Sequence, residues 1–466
     1  QGFAGRAAYT YADRYIAEFN FGYNGSENFA KGNRFGFFPS IAAGWIVSEE
    51  EFMRPVQNYI NKLKLRASYG LAGNDRFYND DGSQKRFAYI TTIGSTDGYK
   101  WGNSNAFYEK GGLREGDPGV ESLTWETVKK ANVGIELGLF KMAELQVDFF
   151  HERREDIFMQ RKNIPSSAGF PSAPWANYGI VTNKGFDISL DLNKQINKDW
   201  FISARASVTY AKNKIIEQDE DLGVLGTYRS STGKPVGQIF GLVNDGLYTE
   251  ADFEDVTTGK LKPGLPVPKF SDRVYPGDIK YVDFNGDGEI TETDKTAIGG
   301  TVNPELVYGF GINLSYKNID FGAFFQGNGR TYRIIGENQK NFLPGSTIGA
   351  EGNIFTNASD AWTVDNPSQD VFYPRLHMGY NANNAQVSDW WLKDMSMLRL
   401  KNVELGYSFS KNLIKKAAME YARIFVRGTN LLQFSKFDLW DPELNTSNGL
   451  KYPIMATYSI GLQVRF

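Results

Sequence analysis

The 466-residue chain contains no cysteine and only two histidines, His151 and His377. The lack of thiols excludes disulfide frameworks, thiolate catalysis and Cys-ligated zinc, and it suits an exported protein that folds without disulfides. Two imidazoles all but exclude a Ser-His-Asp triad or a multi-His zinc site on count alone. His151 ends the strand-like stretch Phe149-Phe150-His151-Glu152-Arg153 and reads as an exposed or lumen-facing residue. No stretch approaches the roughly 18 to 20 consecutive apolar residues of a membrane helix, so a membrane form would have to cross with strands. The formal net charge is only -3 and there is no Lys/Arg-rich run, which argues against nucleic acid as a partner. Gln1 opens no basic and apolar leader, so an export signal is expected outside this sequence.

Aromatics and glycine are abundant: 25 Tyr, 34 Phe, 9 Trp and 49 Gly spread along the chain, the mixture that strands and tight turns need. Period-2 alternation recurs in segments of about 9 to 12 residues, the length a tilted strand needs to cross a bilayer. At the C-terminus Tyr458, Ile460, Leu462, Val464 and Phe466 share one face while Ser459, Gly461, Gln463 and Arg465 share the other. Tyr308 to Tyr316 and Phe186 to Leu192 alternate in the same way, and aromatics at segment ends resemble interfacial girdles. The pattern predicts about thirteen strands, near 4–11, 14–23, 36–47, 61–71, 127–138, 143–153, 184–194, 199–212, 306–316, 319–327, 397–409, 421–431 and 456–466. In the eleventh the apolar face runs Leu398, Leu400, then Val403, Leu405, Tyr407, a one-residue slip that predicts a β-bulge.

The joins alternate short and long, as in an outer-membrane barrel with short periplasmic turns and long outer loops. Short ones fall at Ala12–Asp13, Gly138–Ala143, Gln195–Asp199 and Lys317–Asn318, with medium ones near 48–60 and 410–420. Long ones fall near 24–35, 72–126, 154–183, 213–305, 328–396 and 432–455. The expected fold class is therefore all-β, an antiparallel transmembrane β-barrel with long extracellular loops. Phe466 is expected on the periplasmic side and Gln1 in an external loop. An odd number of strands leaves an unpaired edge at each end, which lipid does not tolerate, so further strands are expected from another piece of chain.

One local motif points to a metal. Asp283-Phe-Asn285-Gly-Asp287-Gly288-Glu289-Ile290-Thr291-Glu-Thr-Asp294 places oxygen donors at positions 1, 3, 5 and 12 of an EF-hand-type loop, with Gly288 at the sharp turn. Asp283, Asn285, Asp287, the Glu289 carbonyl and Asp294 are the candidate Ca2+ ligands, and Thr291 offers a hydroxyl or a water at position 9. A metal-free Asx-rich turn is the alternative. With no amphipathic helices beside it, the expected role is to pin the join near 213–305. Glu49-Glu50-Glu51 reads as the start of a short helix-like join, not as a catalytic carboxylate pair, and no enzymatic chemistry is expected. Trp101, Trp125, Trp175, Trp362, Trp390, Trp391 and Trp440 fall in the long joins, where most should form small loop cores and any one could stack on a sugar or a partner protein. Substrate contacts are expected in the joins near 72–126, 213–305 and 328–396, and inward-facing Arg205 and Arg465 could brace the wall or touch cargo.

An ordered set of motifs resembles the SusC/RagA family of TonB-dependent outer-membrane transporters along essentially the whole chain. It runs from Arg14-Tyr15 and Tyr23-Asn24-Gly25-Ser26 through Gly36-Phe37-Phe38-Pro39-Ser40, Gly44-Trp45 and Leu63-Lys64-Leu65-Arg66-Ala67-Ser68-Tyr69-Gly70. It continues with Leu123-Thr124-Trp125-Glu126, Asn183-Lys184-Gly185, Pro276-Gly277-Asp278-Ile279-Lys280, Phe324-Phe325-Gln326-Gly327, Leu398-Arg399-Leu400-Lys401-Asn402-Val403, Gly406-Tyr407 and the terminal Phe466. The resemblance implies a barrel of about 22 strands in the outer membrane of a Gram-negative bacterium of the Bacteroidota, filled by an N-terminal plug and energised by TonB. It also implies import of oligosaccharides or peptides under a SusD-like surface lipoprotein, with Phe466 as the barrel-assembly signal. This chain is expected to be the C-terminal portion of such a barrel, without plug or TonB-binding segment, and to need about nine further strands. Two other readings share features with it: a passive porin or adhesin barrel, and a secreted calcium-dependent carbohydrate-binding β-sandwich.

Overall fold

The computed structural model describes residues 1–466 apart from 80, 104–105, 171, 337–355 and 416–418. Parts of the joins predicted near 72–126, 154–183, 328–396 and 410–420 therefore lie outside the described residues. Thirteen long strands form one antiparallel sheet in chain order. They are β1 Gly2–Tyr11, β2 Tyr15–Gly25, β3 Phe35–Ile46, β4 Ile60–Asn74, β5 Glu126–Leu139, β6 Ala143–Gln160 and β7 Trp175–Gln195. Then come β8 Trp200–Glu217, β9 Leu306–Tyr316, β10 Ile319–Gly329, β11 Met397–Ser408, β12 Tyr421–Ser435 and β13 Thr457–Arg465. All thirteen predicted segments are strands. The predicted bulge is present too: the register of β11 shifts between Leu400 and Asn402, which leaves Lys401 unpaired and moves the apolar face by one residue.

The short joins are tight because pairs of residues adopt left-handed backbone, Ala12 and Asp13 at φ 50° and 54°, Phe140 and Lys141 at 53° and 57°. Such turns match the twist of the strands they connect. The join expected near 154–183 is shorter than predicted, since β6 and β7 stay paired out to Gln160 and Trp175. Pairing continues past an irregularity between Arg154 and Ile157, where Asp156 has φ 57°, and this break in alternation hid the outer part of both strands. β8 likewise runs on to Glu217. The Glu49-Glu50-Glu51 run opens a helix-like join as expected, with Glu50 at the N-cap of the 3-10 turn Glu51–Val56. Glu50 lies between two 3-10 turns, and its carboxylate accepts from Tyr15 Oη at 2.6 Å, Trp45 Nε1 at 3.0 Å and Arg14 at 3.2 Å, clamping side chains near the short-join ends of β2 and β3.

The chain divides into two compact units, Gln1–Lys194 with Ser207–Lys234, and Gln195–Ala206 with Pro235–Phe466. In the first, Phe29, Phe77, Leu123, Trp125 and Phe158 form a small core above the strand ends, with Trp175 stacked 4.6 Å from Phe158. In the second, the joins after β8 and β10 supply a larger core that includes Leu242, Ile279, Tyr281, Ile290, Ile335, Trp362, Tyr373 and Trp391. Each side chain of this size contributes about 1.5–3 kcal/mol when fully buried, enough to fix long joins that have little regular structure.

Candidate functional site

The strands have two unlike faces. In the second unit Ile319, Tyr407, Ile424 and Leu462 lie opposite one another in successive register, and beside them Phe321, Leu405, Val426 and Ile460 form a parallel row. Seven of these eight side chains are exposed or nearly so, Leu462 by 67% and Ile460 by 76%. In the first unit Phe19, Ile41 and Tyr69 form a similar row. Apolar rows of this extent are an aggregation liability in water and are satisfied by acyl chains. Aromatic clusters mark the strand ends: Tyr11, Tyr15 and Trp45 stack near the short joins, as do Trp200 and Tyr316 at 4.5 Å, and Tyr23 stacks on Phe35 at 5.1 Å toward the long joins. This is how interfacial girdles are placed.

The other face carries cross-strand ion pairs built around glycine. Arg66 on β4 reaches Asp148 on β6 at 2.6 Å, passing over Gly134 on the strand between them. A Cβ at position 134 would stand 2.5 Å from Asp148 Oδ1 and 2.7 Å from Arg66 Nε. Lys62, Lys64 and Arg66 surround Glu136 at 3.0, 3.4 and 3.5 Å. The second unit repeats the device: Arg423 on β12 reaches Asp320 on β10 across Gly406 on β11, and Glu404 bridges Arg423 at 2.6 Å and Arg427 at 2.5 Å. Charge within these two clusters is thus compensated across neighbouring strands. His151 sits on the apolar side with Phe149, exposed, and has no place in these networks.

The long joins hold buried polar networks. Asp219 and Glu220 follow β8, and both are almost wholly shielded. Burial pushes the Asp219 carboxyl up, but Arg161 at 2.8 Å, the Lys162 amide at 2.7 Å and Asn163 outweigh it and hold it at about 2. Burial acts likewise on Glu220, and the hydroxyls of Ser230 and Ser231 and the Ser231 amide overcome it, again to about 2. These carboxylates staple backbone. In the second unit Asp278 is fully buried. Its Oδ1 lies 2.5 Å from His377 Nε2 and accepts from Asn384 at 2.8 Å and Asn381 at 3.2 Å, while Oδ2 accepts from the Tyr275 amide at 2.8 Å. Asn383 and Asn384 close the network onto both ends of Ile279, and Tyr281 donates to the Asn383 carbonyl at 2.7 Å. Burial pushes the Tyr281 hydroxyl above the ordinary phenol range and that of Tyr373 up to about 12, so both stay neutral.

The predicted metal loop is one compact turn. Asp283 accepts from the Gly286 amide at 2.6 Å and the Gly288 amide at 2.8 Å, and Gly286 and Gly288 take φ of 76° and 84°. Asn285 and Asp287 each accept from the amide two residues on, at 2.8 Å. Asp294 is fully buried, with Oδ1 accepting from Phe284 and Asn285 and Oδ2 from Thr291. All five predicted donors thus lie in this turn, every contacting atom being a hard oxygen, and Asp294 Oδ2 keeps an acceptor position. Among the described residues no three His, Asp or Glu side chains converge in a ready-made metal cage.

Of the seven tryptophans, Trp125, Trp362 and Trp391 are buried in loop cores, and Trp175, Trp390 and Trp440 pack against them, as expected for most. Trp101 differs. It lies on the hairpin Ile93–Asn103/Ala106–Glu115, half exposed between Tyr99 at 5.8 Å and Tyr108 at 6.1 Å. Arg273, Arg375 and His377 surround the ring of Tyr275, a cluster not visible in sequence because it joins segments about a hundred residues apart; the run of asparagines near Asn381 was the available signal.

No protein-family model matches the chain. It is 30% identical over 491 residues to TonB-dependent receptor P26 of Formosa agariphila, covering 100% of this chain and 46% of the relative. It is 28% identical over 487 residues to TonB-dependent receptor P3 of that organism, covering 99% and 45%, and 25% identical over 474 residues to TonB-dependent receptor SusC of Bacteroides thetaiotaomicron, covering 99% and 43%. The solved structure of the RagAB peptide importer in its open-open state superposes on the chain with a TM-score of 0.74 at 24% identity, covering 100% of this chain and 46% of that one. The chain is SusC/RagA-like. It spans about half the length of the curated relatives it matches. A SusC/RagA-like chain of this fold is an outer-membrane protein, and exposed apolar rows of this extent suit contact with lipid. Its named relatives are receptors and transporters, not enzymes, in keeping with carboxylates that are spent on structure.

Proposed function

We propose that the chain forms part of the wall and outer loops of a TonB-dependent importer of oligosaccharides or peptides, working with a SusD-like surface lipoprotein. The observation that carries this reading is likeness along 99–100% of the chain to TonB-dependent receptors, on a sheet with one lipid-suited face and one ion-paired face. Support for a peptide or glycan cargo comes from the RagAB and SusC neighbours. In this reading the ion-paired face lines the lumen, and each loop core holds the outer joins of its own unit rigid. The partners are the plug and remaining strands, the lipoprotein and the TonB complex. The test is to purify the chain from detergent-solubilised outer membranes, identify every copurifying polypeptide by intact mass, and measure uptake of labelled peptide and oligosaccharide with and without functional TonB. Copurification with a lipoprotein and TonB-dependent uptake support the proposal; uptake unaffected by loss of TonB sinks it in favour of a passive porin.

We infer further that the Asp283–Asp294 loop takes Ca2+, held by Asp283, Asn285, Asp287, the Glu289 carbonyl and Asp294, as a structural pin for the join that carries it. Support comes from the donor spacing and the compact turn that gathers these oxygens. Chelation should expose the join to protease and added Ca2+ should protect it. Cleavage at the same rate in both conditions counts against the ion.

A further inference from the structure

We propose that Arg273 and Arg375, set around the ring of Tyr275, form a carboxylate-recognition site in the loop assembly of the second unit. The Arg273 guanidinium carbon lies 4.7 Å from the Tyr275 ring centre and that of Arg375 lies 5.2 Å from it, so the two charges are within about 10 Å of each other. The imidazole of His377 stands 5.6 Å from the same ring, and Arg375 also lies 5.7 Å from the Trp362 ring. Among the described residues no carboxylate pairs with Arg273 or Arg375, although most arginines of this chain have one. Among the described residues the carboxylate that touches the cluster is Asp278, and its oxygens are occupied by His377, Asn381, Asn384 and the Tyr275 amide.

The Tyr275 and Arg375 part of the cluster is also held in place before any ligand arrives. Asp278 fixes the backbone at Tyr275, the Arg375 amide donates to the Gly277 carbonyl at 2.7 Å, and the Arg375 side chain donates to Pro276 O at 3.3 Å. Gly277, at φ 91°, packs its Cα against Trp362 where a side chain would collide. Two like charges gathered around one ring repel each other and attract an oxyanion, and arginine's planar fork matches the two oxygens of a carboxylate. The half-buried ring of Tyr275 offers an apolar surface beside that charge. The ligand is therefore an oligomer bearing free carboxylates, either uronate-containing sugar or acidic peptide, which share this chemistry. The site is formed where two of the joins expected to capture cargo meet, those carrying Arg273 and Arg375.

This inference rests on the import reading, yet binding is read in detergent without TonB, so failure of uptake and failure of binding are distinguishable. The complete transporter assembly is titrated calorimetrically with trigalacturonate and with triglutamate, each beside its neutral counterpart, the methyl ester and triglutamine. At least one acid should bind ten times more tightly than its neutral partner, and which acid does so identifies the source. The R273Q/R375Q double variant should lose that preference, while R273K/R375K keeps the charge and recovers only part of it. An unchanged protease-cleavage pattern of the loops confirms that the variants are folded. Equal binding of acid and neutral probes by the wild type, no binding of either acid, or a preference intact in the glutamine variant overturns the proposal.

Discussion

A single methyl group at position 134 should uncouple three strands of the wall. Arg66 and Asp148 meet over Gly134, and the added Cβ of Gly134→Ala would stand 2.5 and 2.7 Å from their polar atoms. Neither neighbour is a flexible tip free to swing away: the Asp148 side chain is 10% exposed, and Arg66 also faces Glu136 at 3.5 Å. Overpacking of this kind costs about 1–3 kcal/mol. Separating a buried ion pair costs about 3–5 kcal/mol, which must be discounted here because the Arg66 side chain is 35% exposed to solvent. Replacing glycine in a strand returns about 0.5–1 kcal/mol. The net expectation is a loss of about 2–3 kcal/mol. Gly44→Ala on β3 is the control, since its Cβ would come no closer than 3.5 Å to Ile16, an ordinary contact. The readout is the folded fraction of the full-length protein across a urea series, seen as the compact band of unheated samples on detergent gels. Gly134→Ala should unfold at clearly lower urea than Gly44→Ala. On an Asp148→Ala background the same methyl should cost less, because one of the two atoms it strikes is gone and the pair that held Arg66 over it is already broken, which makes the two substitutions non-additive. Equal midpoints for Gly134→Ala and Gly44→Ala would refute the account of how this face is assembled.

Three further outcomes are expected. Asp219 and Glu220 have folded pKa values depressed to about 2, so the stability they supply is present above the unfolded carboxylate range near 4 and is lost as pH falls from there through about 2. Each is worth on the order of 2 kcal/mol, and limited acid-tolerant proteolysis of the segments around 161–163 and 218–232 should begin within that window and not at pH 6. Trp391→Ala empties the centre of the second unit's loop core and should cost about 3–5 kcal/mol locally, read as loop cleavage while the gel shift of the strands persists. Asp283→Ala should abolish calcium protection of its join, and luminescence from bound Tb3+ in the wild type, absent in the variant, would check it.

The wall was legible in sequence because a strand with unlike faces must alternate, and each of thirteen alternating segments became a strand. Even the slip between Leu400 and Val403 was readable, since a bulge changes the phase of the pattern. The outer ends of β6 and β7 were not, because an irregularity at Asp156 interrupts the alternation although pairing resumes beyond it. The calcium-type spacing between Asp283 and Asp294 was legible for a similar reason: a turn is local, and its hydrogen bonds run between near neighbours.

Local pattern alone therefore determined the strands, the alternation of their joins and the two faces of the sheet. Only tertiary structure decided which glycine lies beneath an ion pair, that Glu50 clamps Tyr15 and Trp45, and that Asp278 gathers His377, Asn381 and Asn384 from about a hundred residues away. A strand's preference is set by neighbours two residues along the chain, whereas a buried carboxylate takes whichever donors packing brings to it, and those leave no period in the sequence.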